Sequence, residues 1–169
     1  MRAEAPSQTA SPPNERSVAG KFMTFKLAEE AYGVEILKVR ELIGLMEITR
    51  IPNAPHYVRG AINLRGRVIP VIDLRLKFGM SVTESTDQTV IIVVQLSASD
   101  GALTMGILVD EVLEVLNIEA DQVEPPPTFG TDSKDVPFLL GVGKSEKRVI
   151  FLLDIDRVLA MAPDAARSN

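Results

Sequence analysis

From residue 21 onward, apolar and polar residues alternate over much of the chain with a period of two, as in strands that bury one face. In 21–27 (KFMTFKL), Met23, Phe25 and Leu27 share one face and Thr24 and Lys26 the other, which predicts a half-buried strand. A turn and a second strand follow in 28–36, so 22–36 reads as a hairpin. The period then changes. Ile36, Val39 and Ile43 stand at i, i+3 and i+7, the spacing of a short amphipathic helix or helical turn that Gly44 would stop. Residues 47–52 (EITRIP) predict a short strand ending at Pro52, and Asn53 a cap for a helical turn through Ala54 and Pro55 that Gly60 closes.

The segment 60–74 (GAINLRGRVIPVIDL) holds two strand-like runs, 60–64 and 67–74, around a tight turn at Arg65-Gly66. Gly66 supplies the positive φ that such a turn needs. Ile62 and Leu64 alternate with Ala61, Asn63 and Arg65, which puts Asn63 and Arg65 together on the outer face. Pro70 inside the second run predicts an edge or a bulge there. A polar break at 80–88 is followed by 89–96 (TVIIVVQL), a run expected of a strand covered on both faces. A turn at 97–102, strands through to 118, a proline-led loop at 124–137 and a last strand at 147–155 complete the pattern. Asp154 then caps a short helix with Ile155, Val158, Leu159 and Ala162 inward. Many short strands, Gly/Pro turns and only brief helices predict a mainly all-β chain of barrels or sandwiches. The first twenty residues are too polar to offset the entropy of ordering and read as a disordered tail.

Composition narrows the chemistry. The 169 residues include no Cys, no Trp and one His, with 5% aromatics and a net charge of −5. Disulfides, thiolate metal sites and a Cys nucleophile are excluded, and a lone His leaves no two-His metal site. No cofactor is expected. The mild acidity argues against a general nucleic-acid binder. The first twenty residues lack the apolar core of a secretory signal, and no long uncharged apolar run occurs, so a cytoplasmic location is expected.

Each motif that suggests catalysis fails on spacing or context. Gly141-Val-Gly-Lys-Ser145 echoes the end of a phosphate-binding loop, but position 138 is Phe where that loop needs Gly, and an apolar strand follows where it needs a helix. A hairpin turn is the expectation there. His56 lies in an exposed turn with no nucleophile in view. Asp110, Glu111 and Glu114 match no calcium loop and read as an exposed strand–turn face. The basic cluster of Arg59, Arg65, Arg67, Arg75 and Lys77 is different, because it stands out from an acidic chain. It reads as a solvated barrel rim or as a docking surface around Arg65-Gly66, where the planar Arg fork can pair with carboxylates or carbonyls. An alternative use of Arg59–Arg75 is nucleic-acid binding by an SH3- or OB-like barrel, for which Tyr57 is the one aromatic close by.

At these residues the chain resembles the CheW family of bacterial chemotaxis coupling proteins. The likeness runs through 31–43 (AYGVEILKVRELI), 48–79, 89–94, 105–116 and 149–159, with RGAINLRGRVIPVIDLR the most specific phrase. It implies two SH3-like five-stranded β-barrels around a shared hydrophobic interface, with a short C-terminal helix. On that basis 21–160 is one CheW-like domain, with a first barrel at about 33–85 and a second at about 86–160. The 21–32 strand stays open to either barrel, and 161–169 is a tail. The resemblance also implies a non-enzymatic adaptor, recruited to membrane-bound arrays through receptors alone. Its partners would be the cytoplasmic tips of chemoreceptors and the regulatory domain of the histidine kinase CheA. Carried over by position, Val39, Gly60 and Arg65, with Asn63 beside them, are the receptor-facing residues: an apolar contact, a close backbone approach and a polar anchor. Glu41 is the expected holder of the Arg65 guanidinium.

Overall fold

Short turns between apolar runs favour antiparallel neighbours, and most strand pairs here obey that rule. The computed structural model describes residues 18–81, 83–98, 101–125, 138–146 and 148–160. Its elements are β1 (Gly20–Leu27), β2 (Glu30–Glu35), a 3-10 turn (Ile36–Lys38), β3 (Val39–Gly44), β4 (Val58–Leu64), β5 (Arg67–Asp73) and α1 (Leu74–Lys77). There follow β6 (Val90–Ala98), β7 (Gly101–Val109), β8 (Glu111–Ile118), β9 (Val123–Glu124), β10 (Leu139–Ser145), β11 (Arg148–Leu153) and α2 (Ile155–Ala160). They form two sheets: five strands in the order β3-β6-β7-β5-β4, and six in the order β8-β1-β2-β11-β10-β9.

Three apolar clusters explain the arrangement. Ile62, Ile69, Val71, Ile91, Val93 and Leu108 fill the inside of the five-stranded sheet, with Ile43 of β3 against them, so all five strands curl around one core. Phe22, Ala31, Ile118, Ile150 and Leu152 do the same for the six-stranded sheet. The largest cluster lies between the sheets, where Met23, Phe25 and Leu27 of β1 meet Ile92, Val94 and Leu96 of β6 and Ile155, Val158 and Leu159 of α2. Both β1 and β6 therefore bury two faces, one in a sheet's own core and one in the shared interface.

That double burial accounts for 89–96 reading as continuously apolar, and it corrects the half-buried reading of 21–27. Thr24 is fully buried in β1, opposite Glu114 at a register shift in the β1–β8 ladder. Its hydroxyl donates to the Glu114 carbonyl at 2.6 Å and accepts the Glu114 N–H at 3.1 Å, satisfying the groups that the bulge unpairs. Of the helix or helical turn expected over 36–43, one 3-10 turn forms at Ile36–Lys38, and the rest is β3, paired with β6. A register shift between Val39 and Glu41 lets Val39 pack on the shared interface while Ile43 faces the sheet interior. An edge strand whose inward residues reach two different cores across a bulge thus mimics helical spacing.

Residues 47–52 form no strand beyond a single bridge, Thr49 to Ala61. Asn53 adopts φ 62° in a turn without a helix. The break between units does not fall at 85/86. β6 and β7 join the five-stranded sheet, β1 and β2 join β8–β11, and the short β9 makes the second sheet six-stranded. The Arg65-Gly66 hairpin matches its expectation, with φ 53° and 87° at the two turn residues. Pro70 sits one residue before β5 begins to pair with β7, and a register shift at Gly60 lies in the facing strand. In α2, Ile155, Val158 and Leu159 are buried, and Asp154 Oδ1 accepts the Arg157 N–H at 3.3 Å as a cap. The terminal tails 1–17 and 161–169, Ala162 and most of the 124–137 loop lie outside the described residues.

The units β4-β5-α1 and β10-β11-α2 are repeats of one another. Their hairpin strands carry the same burial pattern, and Gly60 corresponds to Gly141, Arg65 to Glu146 and Asp73 to Asp154. Arg65 and Glu146 both have positive φ. The Thr49–Ala61 bridge matches the Glu124–Val142 pair, and the parallel pair Val71–Gly106 matches Leu152–Gly33.

Two stability effects follow. Thr24→Val removes the hydroxyl that serves both Glu114 backbone groups at the partly buried bulge, and should lower the unfolding free energy in urea by about 1 kcal/mol or more. Gly60 has φ 146°, and a Cβ there would lie 2.1 Å from the Thr49 carbonyl oxygen. Gly60→Ala should therefore cost about 3 kcal/mol or more and lower the melting temperature, measured by circular dichroism.

Candidate docking surface

One end of the five-stranded sheet carries an ion pair built by two local structures. The β4–β5 hairpin closes through Arg65 and Gly66, and Asn63 Oδ1 accepts the Gly66 N–H at 2.9 Å, tightening the turn. A turn of this kind prefers Asn or Gly at its first position, so Arg at φ 53° costs about 1 kcal/mol of backbone strain. Its side chain reaches across to β3 and pairs with Glu41, with the Arg65 side chain 68% exposed. The pair flanks a groove of about 370 Å³ lined also by Arg40, Arg67, Gln95 and Thr104. Arg40 donates to the Gln95 amide oxygen within it.

The other expected site residues take different places. Val39 is half-buried where β3 leaves the 3-10 turn, packed on the shared interface. Asn63 is exposed on the outer face opposite Val68, a residue 76% exposed. Gly60 is buried beneath the arm at Thr49, which exchanges two backbone hydrogen bonds with Ala61 at 2.8 and 2.9 Å. The close approach that Gly60 allows is intramolecular, so it shapes the surface from below and is not itself an open contact.

The basic cluster divides. Arg59 pairs with Asp73 at 2.7 Å, and the Asp73 side chain is nearly buried. Arg75 holds Asp110 through Nε and Nη2 at 2.9 to 3.2 Å and donates to the Ser81 carbonyl. The Asp110 hydrogen bonds raise the Arg75 pKa further. Lys77 lies 4.3 Å over the Tyr57 ring. Of the five cations, Arg65 and Arg67 remain at the groove, and nothing in this placement favours nucleic-acid binding.

Other motifs resolve as structure. Residues 141–145 run as the strand β10 into a hairpin turn at Glu146 and on to β11, with Lys144 paired to Glu124 at 2.7 Å. The turn lies just beyond the motif, not within it. His56 is exposed and sits edge-on to Tyr57. Asp110 is no free face: besides Arg75 it accepts the Ala28 N–H at 2.8 Å. Among the described residues no cluster of three or more His, Asp or Glu could hold a metal, and no helix is long and apolar enough to cross a membrane.

Two surface features escaped the sequence reading. Leu37, 92% exposed on the 3-10 turn, was hidden by reading 36–43 as a helix. The end of the six-stranded sheet opens as a cleft of about 770 Å³ whose acids Glu29, Glu30, Glu111, Glu114 and Glu146 come from three separate segments. No single stretch of sequence announces it.

A profile of the CheW-like domain matches residues 21–162. The chemotaxis protein CheW of Klebsiella aerogenes is 38% identical over 153 residues, spanning 90% of this chain and 89% of that protein. That of Rhizobium meliloti is 36% identical over 138 residues, 82% and 86% of the two chains. The crystal structure of the scaffolding protein TtCheW from Thermoanaerobacter tengcongensis superposes with a TM-score of 0.74 at 34% identity, covering 86% of this chain and 95% of that one. Agreement in profile, sequence and three-dimensional structure along the same span shows that the chain belongs to the CheW family of chemotaxis proteins.

Proposed function

We propose that this protein is a non-enzymatic adaptor that couples the cytoplasmic tips of chemoreceptors to the regulatory domain of the kinase CheA. It works in the cytoplasm and reaches the membrane only through the receptors it binds. The receptor-facing surface is the end and edge of the five-stranded sheet around Val39, Asn63 and Arg65, with Glu41 holding the Arg65 guanidinium and Gly60 seating the Thr49 arm beneath.

The observation that carries this reading is the conformation of Arg65. A residue at positive φ in a two-residue hairpin turn is suboptimal for the turn unless it is Asn or Gly. The fold gains little from an exposed ion pair, whose worth is about 0–1 kcal/mol. Strain kept at an exposed, oriented guanidinium points to recognition outside the chain. The paired Glu41 fixes the fork and reduces the side-chain entropy lost on docking.

Arg65→Asn separates the two roles. It suits the turn better, so stability in urea should be unchanged or rise by about 0–1 kcal/mol. Affinity for a purified receptor signalling tip, measured by calorimetry, should fall about tenfold or more. Retained affinity in a folded Arg65→Asn protein would remove Arg65 from the receptor surface. Glu41→Gln should weaken binding in the same direction but less, because it frees the guanidinium and leaves it in place.

A further inference from the structure

The chain crosses between the two sheets twice in the described residues, from β2 to β3 and from β7 to β8, and a charge pair stands at each crossing. At the β7–β8 crossing, Asp110 receives Arg75 of α1 and the backbone N–H of Ala28, which follows β1. At the β2–β3 crossing, Lys38 donates to Asp156 Oδ2 of α2 at 2.7 Å, and Asp156 Oδ1 accepts the Ser97 N–H near the end of β6 at 3.2 Å. The helices α1 and α2 belong to the two repeats, and Arg75 and Asp156 are each the second residue of their helix. The two junctions thus share their parts: a helix side chain, a charged residue on the crossing, and a backbone N–H from the end of a hairpin strand. Their polarity is reversed, with the carboxylate on the crossing in one and on the helix in the other. Different residues making the same tie in both repeats argue that the tie itself matters.

The β2–β3 crossing needs it more. None of the residues of its 3-10 turn is fully buried, and no side chain caps its N-terminus. The turn carries Leu37, 92% exposed, and leads directly into Val39 and Glu41. We infer that Asp156, acting through Lys38, is a positioning residue: it fixes the 36–42 strap in the orientation that presents Leu37, Val39 and Glu41 to the receptor tip. This rests on the docking surface proposed above. The Lys38 and Asp156 side chains are 25% and 34% exposed, so the pair contributes little to global stability, and its effect is local.

The test uses the full chain as Asp156→Asn, which keeps an acceptor for the Ser97 N–H, as Lys38→Met, which keeps the apolar stem, and as the double variant. Amide hydrogen exchange is followed by NMR at 36–44, with β10 and β11 as internal reference, and affinity for a receptor tip is measured in the same proteins. Each single variant should exchange about three- to tenfold faster at 36–44, the double no faster than either single, with reference amides unchanged. Receptor affinity should fall by a similar factor. Unchanged exchange at 36–44, additive effects in the double variant, equal acceleration in the reference strands, or faster exchange with full receptor affinity would each overturn the inference. If the wild-type chain fails to bind the tip while the local, non-additive exchange response is present, the docking reading falls and the tie between α2 and the strap stands.

Discussion

The shared apolar interface between the sheets is the constraint on which the rest of the structure depends. It asks β1 and β6 to be covered on both faces, because each closes its own sheet's core and also meets the other sheet. Once those strands are placed, β3 and β8 become edge strands beside them, and both ladders carry a register shift at the corresponding place. The helices α1 and α2 are then the natural points from which charged side chains reach the crossings. A polar group admitted to this interior must bring its own partner, as Thr24 does with Glu114. Tyr57 is the exception among the described residues: its buried hydroxyl has no partner within the chain, beside the Lys77 that covers its ring.

Against this rigid background the surface chemistry is sparse and local. Three of the five cations that cluster in sequence are used to fasten the fold: Arg59 to Asp73, Arg75 to Asp110 and Lys77 over the Tyr57 ring. Outside the cluster, Lys38 pairs with Asp156. What remains outward at the end of the five-stranded sheet is Arg65 with Glu41, and Arg67 beside them. The corresponding end of the other sheet has Glu146 where the first has Arg65, and its cleft is mainly acidic. Two copies of one architecture have thus been given opposite electrostatic character.

The hairpin carrying Asn63 and Arg65 was legible because a Gly-containing two-residue turn between alternating runs is encoded locally. The Glu41 partner was also within reach, since an acid on one short element and an Arg at a nearby turn are natural candidates to pair. What could not be read locally was anything decided by a distant strand. The 36–43 segment mimics a helix because Val39 and Ile43 face different cores across a bulge, and neither core is visible in that stretch. Gly60 looked like an open groove position, but its neighbour is Thr49, brought over β4 by a loop whose path the sequence pattern does not fix. Arg59 and Arg75 looked like surface charge because Asp73 and Asp110 do not advertise themselves as their partners. The division into units failed for the same reason, since sheet membership follows pairing and not chain order.

That pairing has a consequence for how the protein comes to exist. β2 lies between β1 and β11, and its parallel partnership with β11 joins Ala31 to Ile150, nearly the two ends of the described chain. During synthesis the first hairpin emerges early and waits, with the β2 edge unpaired and Phe22 and Ala31 not yet covered by Ile150 and Leu152, until the last strand has been made. The five-stranded sheet comes from one contiguous run, β3 to β7, which a cut in the polar 80–88 segment would divide. The six-stranded sheet draws on both ends of the sequence, so neither piece would yield a self-sufficient barrel. The five-stranded sheet thus has all its strands once β7 is made, while its partner sheet stays open until the chain is almost finished.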